Sequence, residues 1–361
     1  MIKGCKCWGI WVLLLSMILQ SCQGQGQAGE TGMQKLSGAT MGTTWHLTYE
    51  GATVDVTQKQ IDEVLESINL AASTYIPESI ISRLNKGEIV DIGQEDPNQI
   101  EFFRYNIEIC DSVWQWSNGF FDPTVMPLVN YWGFGYTGHR PIEEVDSAYI
   151  DSLLRYVGYD QVADRFGGDI WVLPDGFQLD FSAVAKGAAS DWIGKFLEDQ
   201  GITNYLIEIG GEIVAKGPGR AGDGWVVGIS KPEINAPTRD LIEYLAMKDR
   251  GLATSGNYRN YYESQGRIIT HTINPKTGYS EERRILSATI VAQNCALADA
   301  LATAIMALGI VDGKAVIEQI PEIEAYLVYK KEDGGTDVRE NAIEIFETEG
   351  MKSLKYNTRN P

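Results

Sequence analysis

The segment Cys295–Leu308 constrains the fold most, because it is apolar on nearly every side and is predicted to form one helix. Gly309 follows directly and is expected to end that helix. A helix that is apolar all round must be covered by other elements. Its one charged residue, Asp299, must then find a cation or several hydrogen-bond donors, because an unpaired buried charge is unfavourable.

Asp299 and Thr303 are four residues apart, so their side-chain oxygens are predicted to share one face of this helix. A carboxylate and a hydroxyl are hard oxygen ligands that suit Mg²⁺, which also takes water and substrate phosphates. The alternative is structural. Asp299 would pair with a lysine, and Thr303 would hydrogen-bond to its own helical turn.

The remaining pattern mixes helices and strands without regular alternation, which favours an α+β fold over a doubly wound sheet. Apolar spacing predicts three further helices at residues 61–71, 99–117 and 186–200. Strands are predicted at residues 44–49, 205–209, 225–229, 268–273 and 286–291. Cys110 and Cys295 lie in apolar helical contexts and are interpreted as core residues.

A second candidate cluster, Asp180-Phe181-Ser182-Ala183-Val184-Ala185-Lys186-Gly187, joins an apolar stretch to the helix at 186–200. Backbone groups at such a junction are available to a ligand, and Lys186 adds positive charge where a phosphate could bind. Loop-to-helix junctions with a lysine are common, so a structural role is the more frequent explanation of such a pattern. The sequence contains no phosphate-binding GK[ST] loop, dinucleotide-binding GxGxxG or metalloprotease HExxH motif.

Histidine is scarce, and His271 is the only one on a predicted strand that leads into a turn. A lone histidine is more often a satisfied structural residue than a base. The aromatic run that includes Phe120 and Phe121 could cover a flat ligand, although such runs more often belong to the core.

The N-terminus predicts export. Residues 1–21 combine two lysines with an apolar run too short to span a bilayer, as in a signal peptide. Leu19-Gln20-Ser21-Cys22 resembles the bacterial lipobox, which predicts lipidation of Cys22 and a membrane-anchored lipoprotein facing the periplasm. We expect a flexible tether over 22–35, one domain over 36–348 and a C-terminal tail over 349–361. The formal net charge of −19 argues against nucleic acid as a partner.

Several short motifs occur in a fixed order along the chain, and each is weak alone. They are Met41-Gly42-Thr43, Ser73-Thr74-Tyr75, Ser82-Arg83-Leu84-Asn85, Gly119-Phe120-Phe121-Asp122-Pro123, Leu179-Asp180 to Gly187, Ile209-Gly210-Gly211-Glu212, Ala253-Thr254-Ser255-Gly256, His271 to Gly278 and Asp299 to Thr303. Together they resemble the FAD:protein FMN transferase family, the ApbE-type flavin transferases, over residues 40–310.

This resemblance implies a bilobed, T-fold-like α+β domain with FAD in a cleft between the lobes and Mg²⁺ on the pyrophosphate. The family transfers FMN from FAD to a Thr or Ser hydroxyl of an acceptor flavoprotein, commonly a subunit of a membrane redox complex. The new bond is a phosphoester, and AMP is released. The implied metal ligands are the Ala183 carbonyl, Asp299 and Thr303. The implied flavin and nucleotide contacts are Met41, Tyr75, Phe120, Phe121, Asp122, Asp180, Lys186 and Ile273.

His271 is the only histidine within a family motif, and it is the candidate general base toward the acceptor hydroxyl. Two alternatives remain open at this point. Water could replace the hydroxyl, which would make the reaction FAD hydrolysis. The chain could also bind FAD without catalysis, although binding alone needs no base.

Overall fold

The computed structural model describes residues 32–51, 55–138, 142, 144–232, 240–257, 261–264, 267–281, 283–331 and 343–357. The predicted signal peptide, Cys22 and the tether up to residue 31 lie outside these ranges and stay predictions. Within the described ranges, no helix is both long enough and apolar enough to cross a membrane.

An antiparallel sheet of eight strands is the central element of the structure. The strands, in chain order, are β1 (Met33–Thr40), β2 (Thr43–Glu50), β3 (Val90–Asp91), β4 (Ile170–Trp171), β5 (Tyr205–Ile209), β6 (Glu212–Lys216), β7 (Trp225–Ser230), β8 (Leu241–Met247), β9 (Arg250–Gly256), β10 (Tyr261–Ser264), β11 (Arg267–Thr270), β12 (Ile285–Ala292), β13 (Glu324–Lys330) and β14 (Ile343–Glu347). The spatial order of the large sheet is β1-β2-β5-β6-β9-β12-β13-β14, and β3–β4, β7–β8 and β10–β11 form separate two-stranded ribbons.

A layer of helices covers one face of the large sheet. The helices of the described residues, including those outside this layer, are α1 (Gln58–Ala72), α2 (Ile80–Asn85), α3 (Pro97–Trp116), α4 (Met126–Tyr131), α5 (Ser147–Leu153), α6 (Ala185–Asp199), α7 (Cys295–Leu308), α8 (Ile310–Gln319) and α9 (Glu349–Leu354). Helices α1, α3, α6 and α7 pack on one another and share the main hydrophobic core. All four predicted helices are confirmed, and both Cys110 and Cys295 are buried free thiols.

Helix α7 is buried between the sheet and α6, as its composition predicts. Its first turn is in close contact with both neighbours. A Cβ atom at Gly187 of α6 would lie 2.4 Å from the Cys295 carbonyl oxygen, and one at Gly251 of β9 would lie 2.3 Å from the Cys295 nitrogen. Glycine is therefore required at both positions for α7 to approach its neighbours this closely.

The opposite face of the sheet is covered by the β7–β8 ribbon and α9. Trp225, Leu245, Tyr326 and Met351 form a second apolar cluster there. The predicted C-terminal tail, 349–361, therefore begins as a packed helix, because Met351 is fully buried.

At the other end of the chain, β1 pairs with β2 from Met33 onward, so the last three residues of the predicted tether belong to the sheet.

A third apolar cluster joins α4 and α5 to the β10–β11 ribbon around Trp132. The Trp132 indole N–H donates to the Gly278 carbonyl at 2.7 Å, which fixes the turn that follows β11. The strand predicted at 268–273 ends at Thr270, because the Thr270 backbone N–H is bonded to the Ser280 hydroxyl as the chain turns. Ile273 instead forms an isolated bridge with Ser280.

The α+β class is confirmed by the large antiparallel sheet and its helical layer. The other predicted strands, at 44–49, 205–209, 225–229 and 286–291, are also confirmed, as parts of β2, β5, β7 and β12. A division into two lobes with a ligand cleft between them stays a prediction.

Candidate active site

A cluster of charged side chains lies where the first turn of α6 meets the middle of α7. The Lys186 ammonium nitrogen is 2.9 Å from Glu212 Oε1 and 3.6 Å from Asp299 Oδ2. The Gly187 backbone N–H donates to the same Asp299 oxygen at 3.1 Å. Both carboxylates are nearly inaccessible, whereas 29% of the Lys186 side chain is exposed. The cluster thus has two buried anions and a lysine side chain that is partly exposed.

The electrostatics of the cluster favour an additional cation. Burial alone would lower the pKa of Lys186, but Asp299 and Glu212 raise it above its usual value, so the ammonium stays charged. Burial and the Asp299 carboxylate raise the pKa of Glu212 to about 7, although the Lys186 charge opposes that shift. Two carboxylates share one ammonium here. With both ionised, the cluster has a net negative charge that attracts a second cation.

The predicted metal ligands present a consistent set of oxygen atoms. Because the Gly187 N–H bonds to Asp299, it is not used by Ala183, and no donor within the described residues bonds to the Ala183 carbonyl. Thr303 Oγ1 lies 3.0 Å from the Ser255 hydroxyl on β9. A cluster of three or more His, Cys, Asp or Glu side chains is absent from the described part of the chain. One carboxylate, one hydroxyl and one carbonyl fit Mg²⁺, which commonly uses few protein ligands and adds water and phosphate oxygens.

Strand register places this cluster at one end of the large sheet. The turn Met41–Gly42 links β1 to β2, and the turn Gly210–Gly211 links β5 to β6 beside it, with the Gly210 N–H bonded to the Thr44 carbonyl. Strand β9 ends at this side too. The sheet end therefore brings Met41, Glu212 and the end of β9 to the same region as the start of α6.

Met41 has an unusual backbone conformation for its side chain. Its φ is +48° and that of Gly42 is +72°, as a two-residue hairpin turn requires. A left-handed conformation is unfavourable for a residue with a long side chain. The Met41 side chain packs against the edge of the main core, next to the sheet end described above.

Asp180 anchors the loop that leads into α6. Its backbone N–H donates to the Pro123 carbonyl at 2.7 Å, and its carboxylate accepts the Ser182 N–H at 2.7 Å. Burial raises the pKa of Asp180, and the bonds from Ser182 oppose that shift. Burial and the nearby Asp180 carboxylate raise the pKa of Tyr75, whose side chain is largely exposed. Tyr75 and the 119–123 segment thus both adjoin the Asp180 loop.

The aromatic segment divides into an exposed part and a structural part. Phe121 is buried, whereas Phe120 is partly exposed and has the Lys276 ammonium 4.8 Å from its ring centre. Asp122 is buried and accepts from the Thr124 N–H and hydroxyl and from the Tyr159 N–H at 3.0 Å. In this structure the Asp122 carboxylate holds neighbouring backbone in place.

His271 and Ile273 lie on the turn that follows β11. The His271 ring is partly buried and meets Phe134 edge to face, with 6.3 Å between ring centres. Ile273 is buried in the cluster around Trp132. Lys276, three residues further on, contacts Phe120, so this turn adjoins the aromatic segment.

Two residues at this site had no role assigned from the sequence: Glu212 of the charged cluster and Ser255, which contacts Thr303. Glu212 was visible as the first polar residue after the Gly210–Gly211 pair, and Ser255 as the hydroxyl of a small-residue motif. Neither motif indicates that these side chains meet Lys186 and Thr303, because that contact depends on the pairing of distant strands.

Asp191 connects the two helices that carry the cluster. It lies on α6 and accepts the Cys295 N–H and the Ala296 N–H of α7, each at 2.8 Å. The Tyr105 hydroxyl of α3 donates to it at 2.9 Å. Three helices thus meet at one carboxylate, which satisfies the first two N–H groups of α7.

We expect Asp191→Ala to lower the free energy of unfolding by about 3 kcal/mol, because two buried helix N–H groups lose a charged acceptor. Tyr105→Phe removes one donor only and should cost about 1 kcal/mol. Urea denaturation followed by circular dichroism measures both values. Equal effects of the two substitutions would contradict the role assigned to Asp191.

Comparison with known proteins supports one family. The model of the ApbE family matches residues 41–327. The chain is 32% identical over 344 residues to the FAD:protein FMN transferase of Vibrio cholerae. This alignment covers 93% of this chain and 98% of the relative. It is 32% identical over 335 residues to the protein of that name from Haemophilus influenzae, covering 90% and 93% respectively.

Comparison with solved structures supports the same family. The flavin transferase ApbE from Vibrio cholerae superposes with a TM-score of 0.74 at 29% identity, over 90% of this chain and all of the other. The apo flavinyl transferase ApbE of Pseudomonas stutzeri gives 0.74 at 27% identity, over 90% and 96%. The fold and these similarities define a transferase enzyme. The chain belongs to the ApbE family.

Proposed function

We propose that this protein transfers FMN from FAD to a Thr or Ser hydroxyl of an acceptor flavoprotein, with Mg²⁺, and releases AMP. The family membership supports the reaction class. The observation that carries the proposal is the cluster of Lys186, Glu212 and Asp299, with Thr303 one turn beyond Asp299 on α7 and Ala183 three residues before Lys186.

The transfer exchanges one phosphorus–oxygen bond for another. The acceptor hydroxyl oxygen attacks the phosphorus of the FMN half, and the bond to the bridging pyrophosphate oxygen breaks. AMP leaves with that oxygen, and the hydroxyl proton passes to a base. Mg²⁺ held by Asp299, Thr303 and the Ala183 carbonyl would neutralise negative charge on the pyrophosphate oxygens.

The protein's own residues have distinct tasks in this proposal. Lys186 binds a phosphate oxygen with its ammonium group, which the neighbouring carboxylates keep protonated. His271 accepts the hydroxyl proton. Met41, Tyr75, Phe120, Phe121, Asp180 and Ile273 contact the flavin or nucleotide through side chain or backbone, and Asp122 supports them by fixing the aromatic segment.

Mass spectrometry of an acceptor subunit tests the transfer. The acceptor, FAD, Mg²⁺ and the enzyme should together give an FMN-sized adduct on a threonine or serine, with equimolar AMP. Incubation without acceptor measures FAD hydrolysis. If AMP and free FMN form at the same rate with and without acceptor, and no adduct forms, the protein is an FAD hydrolase. If FAD stays unchanged in both mixtures, the protein binds FAD without catalysis.

We further propose that the enzyme is a lipoprotein whose lipid on Cys22 holds it at the periplasmic face of a membrane, near acceptor subunits of membrane redox complexes. The lipobox-like sequence before Cys22 supports this. We expect Cys22→Ser to remain uncleaved or to become soluble, because the substitution removes the acylated thiol. Cell fractionation and the mass of the mature N-terminus test it, and a wild-type protein found only in the soluble fraction would contradict it.

A further inference from the structure

Glu212 is an unusual residue for its position. It is the first residue of β6, is 5% exposed, and follows the Gly210–Gly211 turn. Its Oε1 meets Lys186 at 2.9 Å, whereas its Oε2 is buried and has no hydrogen-bond partner within the described residues. A buried carboxylate with one unsatisfied oxygen is unfavourable, and a neutral side chain would be less so. The presence of a carboxyl group at this buried position therefore needs a functional explanation.

The geometry of Lys186 provides that function. The ammonium is closer to Glu212 than to Asp299, at 2.9 Å against 3.6 Å. The Asp299 oxygen nearest the ammonium, Oδ2, is also the one that accepts the Gly187 N–H. Without Glu212, the ammonium would be free to move closer to Asp299 than the present 3.6 Å and form a tighter ion pair. Such a pair would occupy the carboxylate that the proposed Mg²⁺ site requires.

We infer that Glu212 is a positioning residue that holds the Lys186 ammonium off Asp299, so that Asp299 can bind a divalent cation while Lys186 stays beside it. The inference rests on the proposed function, because it assigns Asp299 to the cation. It also explains how a lysine and a divalent cation can share one small site. The Glu212 charge offsets the repulsion between the two cations, which would otherwise be large at such short range.

The inference is tested with Mn²⁺ alone, without FAD. Mn²⁺ suits the same oxygen ligands as Mg²⁺, and the free ion is measured directly by electron paramagnetic resonance. Four proteins form a double-mutant cycle: the wild type, Glu212→Gln, Lys186→Met and the combined variant. The Asp299→Asn variant shows how much of the Mn²⁺ binding depends on the proposed metal site. Asp312→Asn, which removes an exposed carboxylate in the first turn of α8, is the matched control and should change affinity less than about twofold.

We expect Glu212→Gln to weaken Mn²⁺ binding at least tenfold when Lys186 is present, and less than about twofold in the Lys186→Met background. The same loss in both backgrounds would overturn the inference, because Glu212 would then act only through its own charge. Glu212→Asp gives a second test, since it keeps the charge but shortens the reach to Lys186. It should weaken binding as Glu212→Gln does, and wild-type affinity in this variant would also overturn the inference.

The outcomes separate the inference from the function on which it rests. If Asp299→Asn abolishes Mn²⁺ binding but the cycle shows no coupling, the positioning role of Glu212 is wrong and the metal site stands. If Asp299→Asn leaves Mn²⁺ binding unchanged, the proposed metal site itself is wrong. Circular dichroism and thermal unfolding of each variant verify that the compared proteins are folded.

Discussion

Asp299→Asn should lower the turnover of FMN transfer at least about 10³-fold, which corresponds to about 4 kcal/mol of transition-state stabilisation. Asparagine has the same shape and keeps an oxygen that can accept the Gly187 N–H. It lacks the negative charge that the proposed cation requires. The variant therefore removes the metal site and leaves the contact between α6 and α7 in place.

Adduct formation on the acceptor, measured by mass spectrometry at saturating FAD and Mg²⁺, gives the turnover. Asp312→Asn is the matched control, because Asp312 is an exposed carboxylate in the first turn of α8. It should retain transfer within about twofold, as surface substitutions commonly have small effects. Near-normal turnover of Asp299→Asn in the presence of Mg²⁺ would show that the metal assignment is wrong.

His271→Ala should lower turnover by about 10² to 10⁴-fold and change FAD affinity much less. A hydroxyl is a weak nucleophile until its proton is removed, and an imidazole nitrogen is a base that can accept that proton. The turn that carries His271 is fixed by the bond between Trp132 and Gly278, so loss of the imidazole should leave the turn in place.

Turnover and the dissociation constant of FAD are measured on the same variant. Added imidazole should restore part of the lost turnover if the ring acts as a base. His46→Ala is the control, because His46 is an exposed histidine paired with Glu208 on neighbouring strands. A large loss of FAD binding with turnover preserved at saturating FAD would make His271 a binding residue.

The helices that carry the site were predictable from the sequence. Helix α7 is apolar on all sides, and its Asp299 required a cation, which the structure supplies as Lys186. Which cation it would be could not be predicted, because Lys186 is far from Asp299 along the chain. Helical spacing determines what shares a face of one helix, but not which faces of two helices meet.

Strand β9 was not predicted, although it lies near the middle of the large sheet. Its sequence, Arg250-Gly251-Leu252-Ala253-Thr254-Ser255-Gly256, is rich in small residues that have low strand propensity. The reason lies in the tertiary packing of this strand. The face of β9 toward α7 must be nearly flat for that helix to approach, as the short distance from Gly251 to Cys295 shows. Packing against α7 thus overrides local propensity.

Helix α9 and the start of β1 were missed for a related reason. Residues 349–361 are mostly polar, and only two of their apolar residues, Met351 and Leu354, pack in the second apolar cluster within the described part of the chain. Residues 34 and 35 are polar and exposed, although their backbone pairs with β2. Edge strands and terminal helices have little buried surface, so the apolar pattern that reveals central elements is weak there.

For an enzyme anchored through Cys22, the direction of β1 would limit how far from a membrane the reaction can take place. The strand begins at Met33, within the last three residues of the predicted tether, and reaches the Met41 turn at the opposite end of the sheet. Eight residues of strand span roughly 26 Å. A lipid on Cys22 would therefore hold the enzyme by the end that is remote from its charged cluster. The tether adds up to roughly 35 Å when fully extended. With that anchor, the proposed acceptor could be modified up to roughly 60 Å from the lipid headgroups, which is the combined reach of the strand and the extended tether.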